Sequence, residues 1–174
     1  FMGIVVHFTA FTSVFTFIPV QASRLGASSA DLGLITMASL GSAAAGSLAA
    51  PYLARRWGHR KTILSGSLLL GAGLLIVPFI NRILMLGVAQ LVNGTGRGVL
   101  YTLLMALSIR NVSPDKRATS MGVFQAFTAA GMVTGPLVSD FLASSMSVSS
   151  VFYLSSALCL IPAGMSFLRI LLRV

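Results

Sequence analysis

The chain has 174 residues, of which 56% are hydrophobic and only 9% are charged. Soluble domains carry about 25% charged residues, so this composition predicts a protein dissolved in lipid rather than in water. The net charge of +9 is also typical of nucleic-acid-binding domains, but most of this chain is too apolar to expose a basic face to water. We therefore interpret it as an integral membrane protein and expect no nucleic acid as a partner.

Six apolar windows are each about as long as the roughly 20 residues that a helix needs to cross a bilayer. They cover residues 2–22, 31–53, 62–80, 83–108, 118–141 and 149–170. The segments between them are short, so consecutive helices must run antiparallel. The first window is too long for a signal peptide and lacks a small-residue cleavage site. The pattern predicts an all-α membrane protein, with a single transmembrane domain of six spans over residues 1–174 and the lipid bilayer as its surroundings.

The basic residues are distributed unequally between the two sides of this arrangement. One side holds Arg55, Arg56, Arg60, Lys61, Arg110, Lys116, Arg117, Arg169 and Arg173. The other side holds only Arg24 and Arg82. Since Lys and Arg accumulate on the cytoplasmic side of membrane proteins, we expect both termini to be cytoplasmic, in a membrane of the bacterial inner (plasma) membrane type.

The six windows also differ in their polar residues. The first contains His7, which is either a proton-coupling group or a neutral hydrogen-bonding partner of a neighbouring helix. The second is polar only through Ser and Thr and is rich in small residues, which allow helices to approach closely. The third and sixth have no interior ionisable group, and Cys159 in the sixth is interpreted as a small buried residue. We expect these two spans to face lipid and the other four to face each other or a central cavity.

Arg97 lies near the middle of the fourth window. An arginine at that depth costs at least a few kcal/mol unless it faces a polar cavity or finds a partner. A role in function is therefore favoured, and the structural alternative is snorkelling or pairing with a backbone carbonyl. The candidate substrate or coupling residues of the spans are Arg97, Gln125, His7, Gln90 and Asn93.

Catalysis is not expected, because the chain has no Glu and its three Asp residues lie at scattered depths. With one cysteine, it also offers no disulfide framework and no metal cluster. We predict neither an enzyme nor a cofactor.

Six spans with a basic loop after the second resemble one half of a major facilitator superfamily transporter. The loop signature of that family is Gly, three residues, Asp, Arg or Lys, one residue, Gly and then basic residues. In this chain, the residues that correspond to the loop signature are Arg55, Arg56, Gly58, His59 and Arg60. However, Pro51 stands at the opening Gly and Arg55 at the Asp, and Gln90 replaces an arginine of the family's fourth span. The charge pairs that lock one conformation in the family are therefore not implied here, and the departures favour the second half of a transporter over the first.

The fifth window resembles a second signature of the same family, which is commonest in proton-coupled antiporters. The matching residues are Gly122, Gly131, Gly135 and Pro136. Gly131 and Gly135 form a GxxxG face suited to close helix packing, and Pro136 removes one helical hydrogen bond. The final glycine pair of the signature is replaced by Ser139 and Asp140.

The resemblance implies a secondary transporter that moves a small solute by alternating access, with antiport or efflux as its mode. Its partners would be that solute and a second six-helix half, supplied by the same longer chain or by another. Two alternatives stay open: a half-size transporter acting as a homodimer, and a non-transporting membrane scaffold or partner subunit built on a transporter-like repeat.

Overall fold

In a computed structural model, which describes residues 2–171, every regular element is a helix. The six long helices are α1 (Met2–Arg24), α2 (Ser29–Trp57), α3 (His59–Ile76), α4 (Ile83–Ile109), α5 (Arg117–Ser145) and α6 (Val148–Leu171). Short 3₁₀ segments, Val77–Phe79 and Pro114–Lys116, follow α3 and precede α5. All six are long and apolar enough to cross a membrane, so the predicted all-α fold class with six spans is confirmed.

The ends of α2 show why this helix extends beyond its apolar window. At its start, Ser28 and Asp31 form a capping box: the Asp31 amide donates to Ser28 Oγ at 3.2 Å, and the Ser28 amide donates to Asp31 Oδ2 at 2.9 Å. At its other end, Gly58 has a φ of 82°, a value that favours glycine. The glycine shared with the family's loop signature therefore ends the helix.

Helices α2 and α4 have the most extensive contact in the bundle, and glycines make it possible. A Cβ atom at Gly98 would overlap the carbonyl oxygen of Ala43, and one at Gly94 would overlap Ser39 and Ser42. The two helices run parallel, because residue numbers rise in the same direction along both sides of the contact.

Helices α1 and α5 form a second close parallel pair, through the GxxxG face predicted in α5. A Cβ atom at Gly131 would lie 2.5 Å from the Ile4 carbonyl oxygen, and one at Gly135 would lie 2.8 Å from the Phe8 carbonyl oxygen. Gly122 has no such neighbour within 4 Å among the described residues. Two of the three glycines in the signature are thus packing residues here, and the third is not.

The parallel pairs fix which helix ends lie together. Since α2 and α4 run in the same direction, Arg55, Arg56 and Arg110 lie at one end of the bundle, and Arg24 and Arg82 lie at the other. The side chain of Arg169 and the whole of Arg173 lie outside the described part of the chain. The charge asymmetry read from the sequence is therefore an asymmetry between the two ends of the bundle.

Helix α3 packs between α4 and α6, with Leu70, Leu74 and Phe152 almost fully buried. By contrast, α2 and α5 leave the largest shares of their residues exposed. Leu48 in α2 is 83% exposed and Phe141 in α5 is 73% exposed. Both helices therefore present apolar faces that the bundle itself does not cover.

A cavity between helices α1, α2 and α4

A cavity of about 200 Å³ opens between α1, α2 and α4. Its lining residues are Val6, His7, Ala10, Phe11, Phe15, Leu40, Ala43, Ser47, Arg97, Gly98 and Tyr101. Two of the sequence-predicted candidates, Arg97 and His7, are among them. None of the lining residues comes from α3 or α6, the two helices expected to face lipid.

Among the described residues, Arg97 makes two weak contacts in the cavity. Its Nη2 donates to the Ser39 carbonyl oxygen at 3.5 Å, which is the long limit of a hydrogen bond. Its guanidinium carbon lies 5.9 Å from the centroid of the Phe15 ring, near the outer range of a cation–π contact. None of the three Asp residues lines the cavity. The guanidinium therefore keeps most of its five N–H donors for other partners.

A π-helical segment, Phe11–Phe17, places the aromatic wall of the cavity within α1. In this segment Thr16 Oγ1 donates to the Phe11 carbonyl oxygen at 3.0 Å, five residues back. The segment is tied to α5 by Ser139 Oγ, which donates to Thr12 Oγ1 at 3.1 Å. Ser139, one of the departures from the family signature, thus has a specific packing role. Segments of π-helix inside α-helices are frequent at functional sites.

A chain of contacts links His7 to α5. The His7 and Tyr101 rings meet edge to face with centroids 5.0 Å apart, and His7 Nδ1 lies 3.2 Å from the Gly3 carbonyl oxygen. Tyr101 Oη donates to Gln125 Oε1 at 3.3 Å, and Thr128 Oγ1 donates to the same oxygen at 3.1 Å. Gln125 is therefore not a lining residue but is one hydrogen bond away from the cavity.

The remaining two candidates, Gln90 and Asn93, lie in the interior of the bundle and are fully buried. Neither lines the cavity. The polar side-chain atoms of both have no hydrogen-bond partner among the described residues. The Cβ atom of Asn93 lies against Gly73 of α3, so this amide sits where α4 meets α3 rather than where α4 meets α1.

Sequence reasoning did not select Phe15, Tyr101 or Ser47 as site residues. The sequence could have indicated Tyr101, because it follows Arg97 by four residues and so shares its helix face. It could not have indicated Phe15, because a regular α-helix was expected where the structure has the π-segment. As for metals, residues 2–171 bring no group of three His, Cys, Asp or Glu side chains together, and Cys159 is buried.

A six-helix membrane bundle with a part-buried cation in a cavity between its helices has the architecture of a transporter repeat. The sequence profile described as Major Facilitator Superfamily matches residues 1–173. The chain therefore belongs to the major facilitator superfamily, a family of membrane transporters rather than enzymes, which confirms the resemblance seen in the sequence. A protein of Bacillus subtilis (strain 168) named "Uncharacterized MFS-type transporter YceJ" is 28% identical over 123 residues. That match covers 71% of this chain but only 30% of the relative.

Proposed function

We propose that the chain forms one six-helix half of a secondary transporter that moves a small solute through the Arg97 cavity by alternating access, in antiport or efflux. The observation that carries the proposal is the guanidinium of Arg97, which lines a cavity within the spans and has one long hydrogen bond among the residues that the structure describes. An arginine in the membrane interior is costly unless a cavity or a partner compensates it. A polar or anionic group of the solute would be that partner.

The uncovered apolar faces of α2 and α5 support a second six-helix half as the partner of this bundle. Such a half would come from the same longer chain or from another chain, and the solute would cross between the two halves, as in transporters built from repeats. The accumulation of basic residues at one end of the bundle supports cytoplasmic termini in a bacterial inner membrane.

Replacement of Arg97 by Leu tests this function directly. In proteoliposomes that contain the natively expressed protein, we expect uptake of its solute to fall roughly ten- to hundredfold, because charge-assisted hydrogen bonds contribute about 1.5–3 kcal/mol. The matched control is Arg110→Leu, an exposed arginine just beyond the same helix, which should leave uptake unchanged. Unaltered uptake by the Arg97 variant would refute the assignment.

A non-transporting scaffold is the second candidate function. It is favoured by Arg55, which is exposed where the family has an acidic residue, and by Gln90, which is buried where the family has an arginine. The first change reverses a charge, and the second removes one, in the network that the family uses to lock one conformation. Thermal stabilisation of the detergent-solubilised protein by a transported solute would count against the scaffold.

A further inference from the structure

We propose that the solute is a small organic monoanion with one carboxylate and a flat aromatic body, the carboxylate pairing with Arg97 and the ring lying against the aromatic wall of α1 and α4. This inference rests on the proposed function and specifies the chemical class of the solute. It depends on three observations: the charge of the cavity, the free donors of Arg97 and the aromatic lining.

The charge that this bundle contributes to the cavity favours a solute with a single negative charge. Arg97 is the one Lys, Arg, Asp or Glu side chain among the described lining residues. A monoanion would neutralise it, whereas a dianion would leave one uncompensated negative charge and a cation would add a second positive one. Uncompensated charges away from water are strongly unfavourable. The remaining titratable lining residues are His7 and Tyr101, and each already has a partner, at Gly3 and Gln125 respectively.

The guanidinium of Arg97 suits a carboxylate in particular. Its planar fork of N–H groups matches the two oxygens of a carboxylate and binds them through two parallel hydrogen bonds. Among the described residues, the guanidinium finds one acceptor, the Ser39 carbonyl oxygen, which lies 3.5 Å from Nη2. A bound carboxylate therefore gains two strong hydrogen bonds and displaces at most one weak one.

The rest of the lining suits a flat apolar ring. Phe11 and Phe15 form one aromatic pair with centroids 4.9 Å apart, and His7 and Tyr101 form another. Aromatic rings favour offset and edge-to-face contacts at such distances. Within this bundle the cavity volume is about 200 Å³, below the roughly 300–1,000 Å³ of sites for drug-sized ligands. The part of the solute that this bundle encloses is therefore expected to be a single ring.

Binding of labelled benzoate to the natively expressed protein in nanodiscs tests the proposal. Labelled benzoate should be displaced by unlabelled benzoate at least about tenfold more effectively than by benzamide, phthalate or benzylammonium, which keep the ring but are neutral, doubly negative and positive. Arg97→Gln should weaken benzoate binding at least about tenfold, and Arg97→Lys should weaken it less, since Lys keeps the charge but not the fork. Arg110→Gln, the control on the same helix, should bind benzoate as the unaltered protein does.

A second pair of measurements tests whether the solute has an aromatic ring that packs against Phe15. Phe15→Leu removes an aromatic ring but keeps an apolar side chain. It should weaken the binding of benzoate more than that of cyclohexanecarboxylate, which has the same charge but no flat ring. Equal weakening of both would show that Phe15 only fills space, and it would overturn the aromatic part of the proposal.

The failure of this proposal and the failure of the transport function give different results. Benzoate binding that survives Arg97→Gln, stronger binding of phthalate or benzylammonium, or no displaceable benzoate at about 10 mM would each overturn the monoanion class. Transport is measured separately, by uptake into proteoliposomes. A protein that accumulates a neutral or cationic solute but does not bind benzoate would remain a transporter of another class of solute.

Discussion

Two amides at the centre of the bundle, Gln90 and Asn93, have no hydrogen-bond partner among the described residues although both are fully buried. An unsatisfied buried polar group costs about 1–3 kcal/mol. If they stay unpaired, these amides therefore lower the stability of the bundle, in contrast to the serines whose hydroxyl groups link helices. Ser156 Oγ, for example, donates to the Gly71 carbonyl oxygen at 2.9 Å.

The variant Gln90→Met replaces the amide by an apolar side chain of similar length. We expect its thermal unfolding temperature in detergent to stay the same or rise, because the unpaired amide is removed without a cavity being left. Gln21→Met, at a half-buried position near the end of α1, is the control and should change little. A loss of about 1 kcal/mol or more for Gln90→Met would show that the amide stabilises the fold.

Single residues differed in how well the sequence predicted them. Arg97 stood out because a charge inside an apolar window has few explanations, and the structure does bring it to a cavity. Gln90 and Asn93 are also polar residues of α4. Whether such a residue lies in the interior of the bundle or lines the cavity depends on how α4 packs against its neighbours, which the sequence does not show. Phe15 could not be selected, because its position depends on the π-segment rather than on the spacing of apolar residues.

At the scale of elements, the apolar windows located all six helices but not their full lengths. The window 31–53 ends just before Arg55 and Arg56, whereas a helix can continue into the aqueous boundary until a cap stops it. Helix α2 accordingly runs to Trp57 and ends at Gly58, beyond the window that ended at residue 53. The close crossings of α1 with α5 and of α2 with α4 depend on glycines whose spacing the sequence does show.

The contact between α1 and α5 yields a matched pair of variants. Gly131→Ala should destabilise the bundle by roughly 1–3 kcal/mol, because the added methyl group would lie 2.5 Å from the Ile4 carbonyl oxygen. Gly122→Ala, on the same helix, meets no described residue within 4 Å and should be neutral or slightly stabilising, since alanine favours helix over glycine. Thermal unfolding in detergent compares the two, and equal stabilities would contradict the described packing.

At the scale of the whole molecule, the exposed faces of α2 and α5 lead to a prediction about the mass of the complete polypeptide. We expect the natively expressed polypeptide to have an intact mass near twice the 18.2 kDa of this chain, because one six-helix bundle forms only half of the proposed transport path. Mass spectrometry of the purified protein gives the answer. A mass of 18.2 kDa with a dimer in nanodiscs would instead support the homodimeric transporter, and the same mass with a lone bundle would support the scaffold.

The proposed function requires the cavity around Arg97 to open to each side of the membrane in turn. Ser47 lines this cavity and differs from cysteine by one atom, while the free Cys159 is buried. The most direct measurement is therefore the labelling of Ser47→Cys, in a Cys159→Ala background, by a membrane-impermeant thiol reagent added to one side or the other. Ser155→Cys is the control, because this fully buried position in α6 should stay unlabelled.

Alternating access predicts that Ser47→Cys is labelled from both sides and is protected when a transported solute is present. Labelling from one side only, with no effect of any transported solute, would contradict the account.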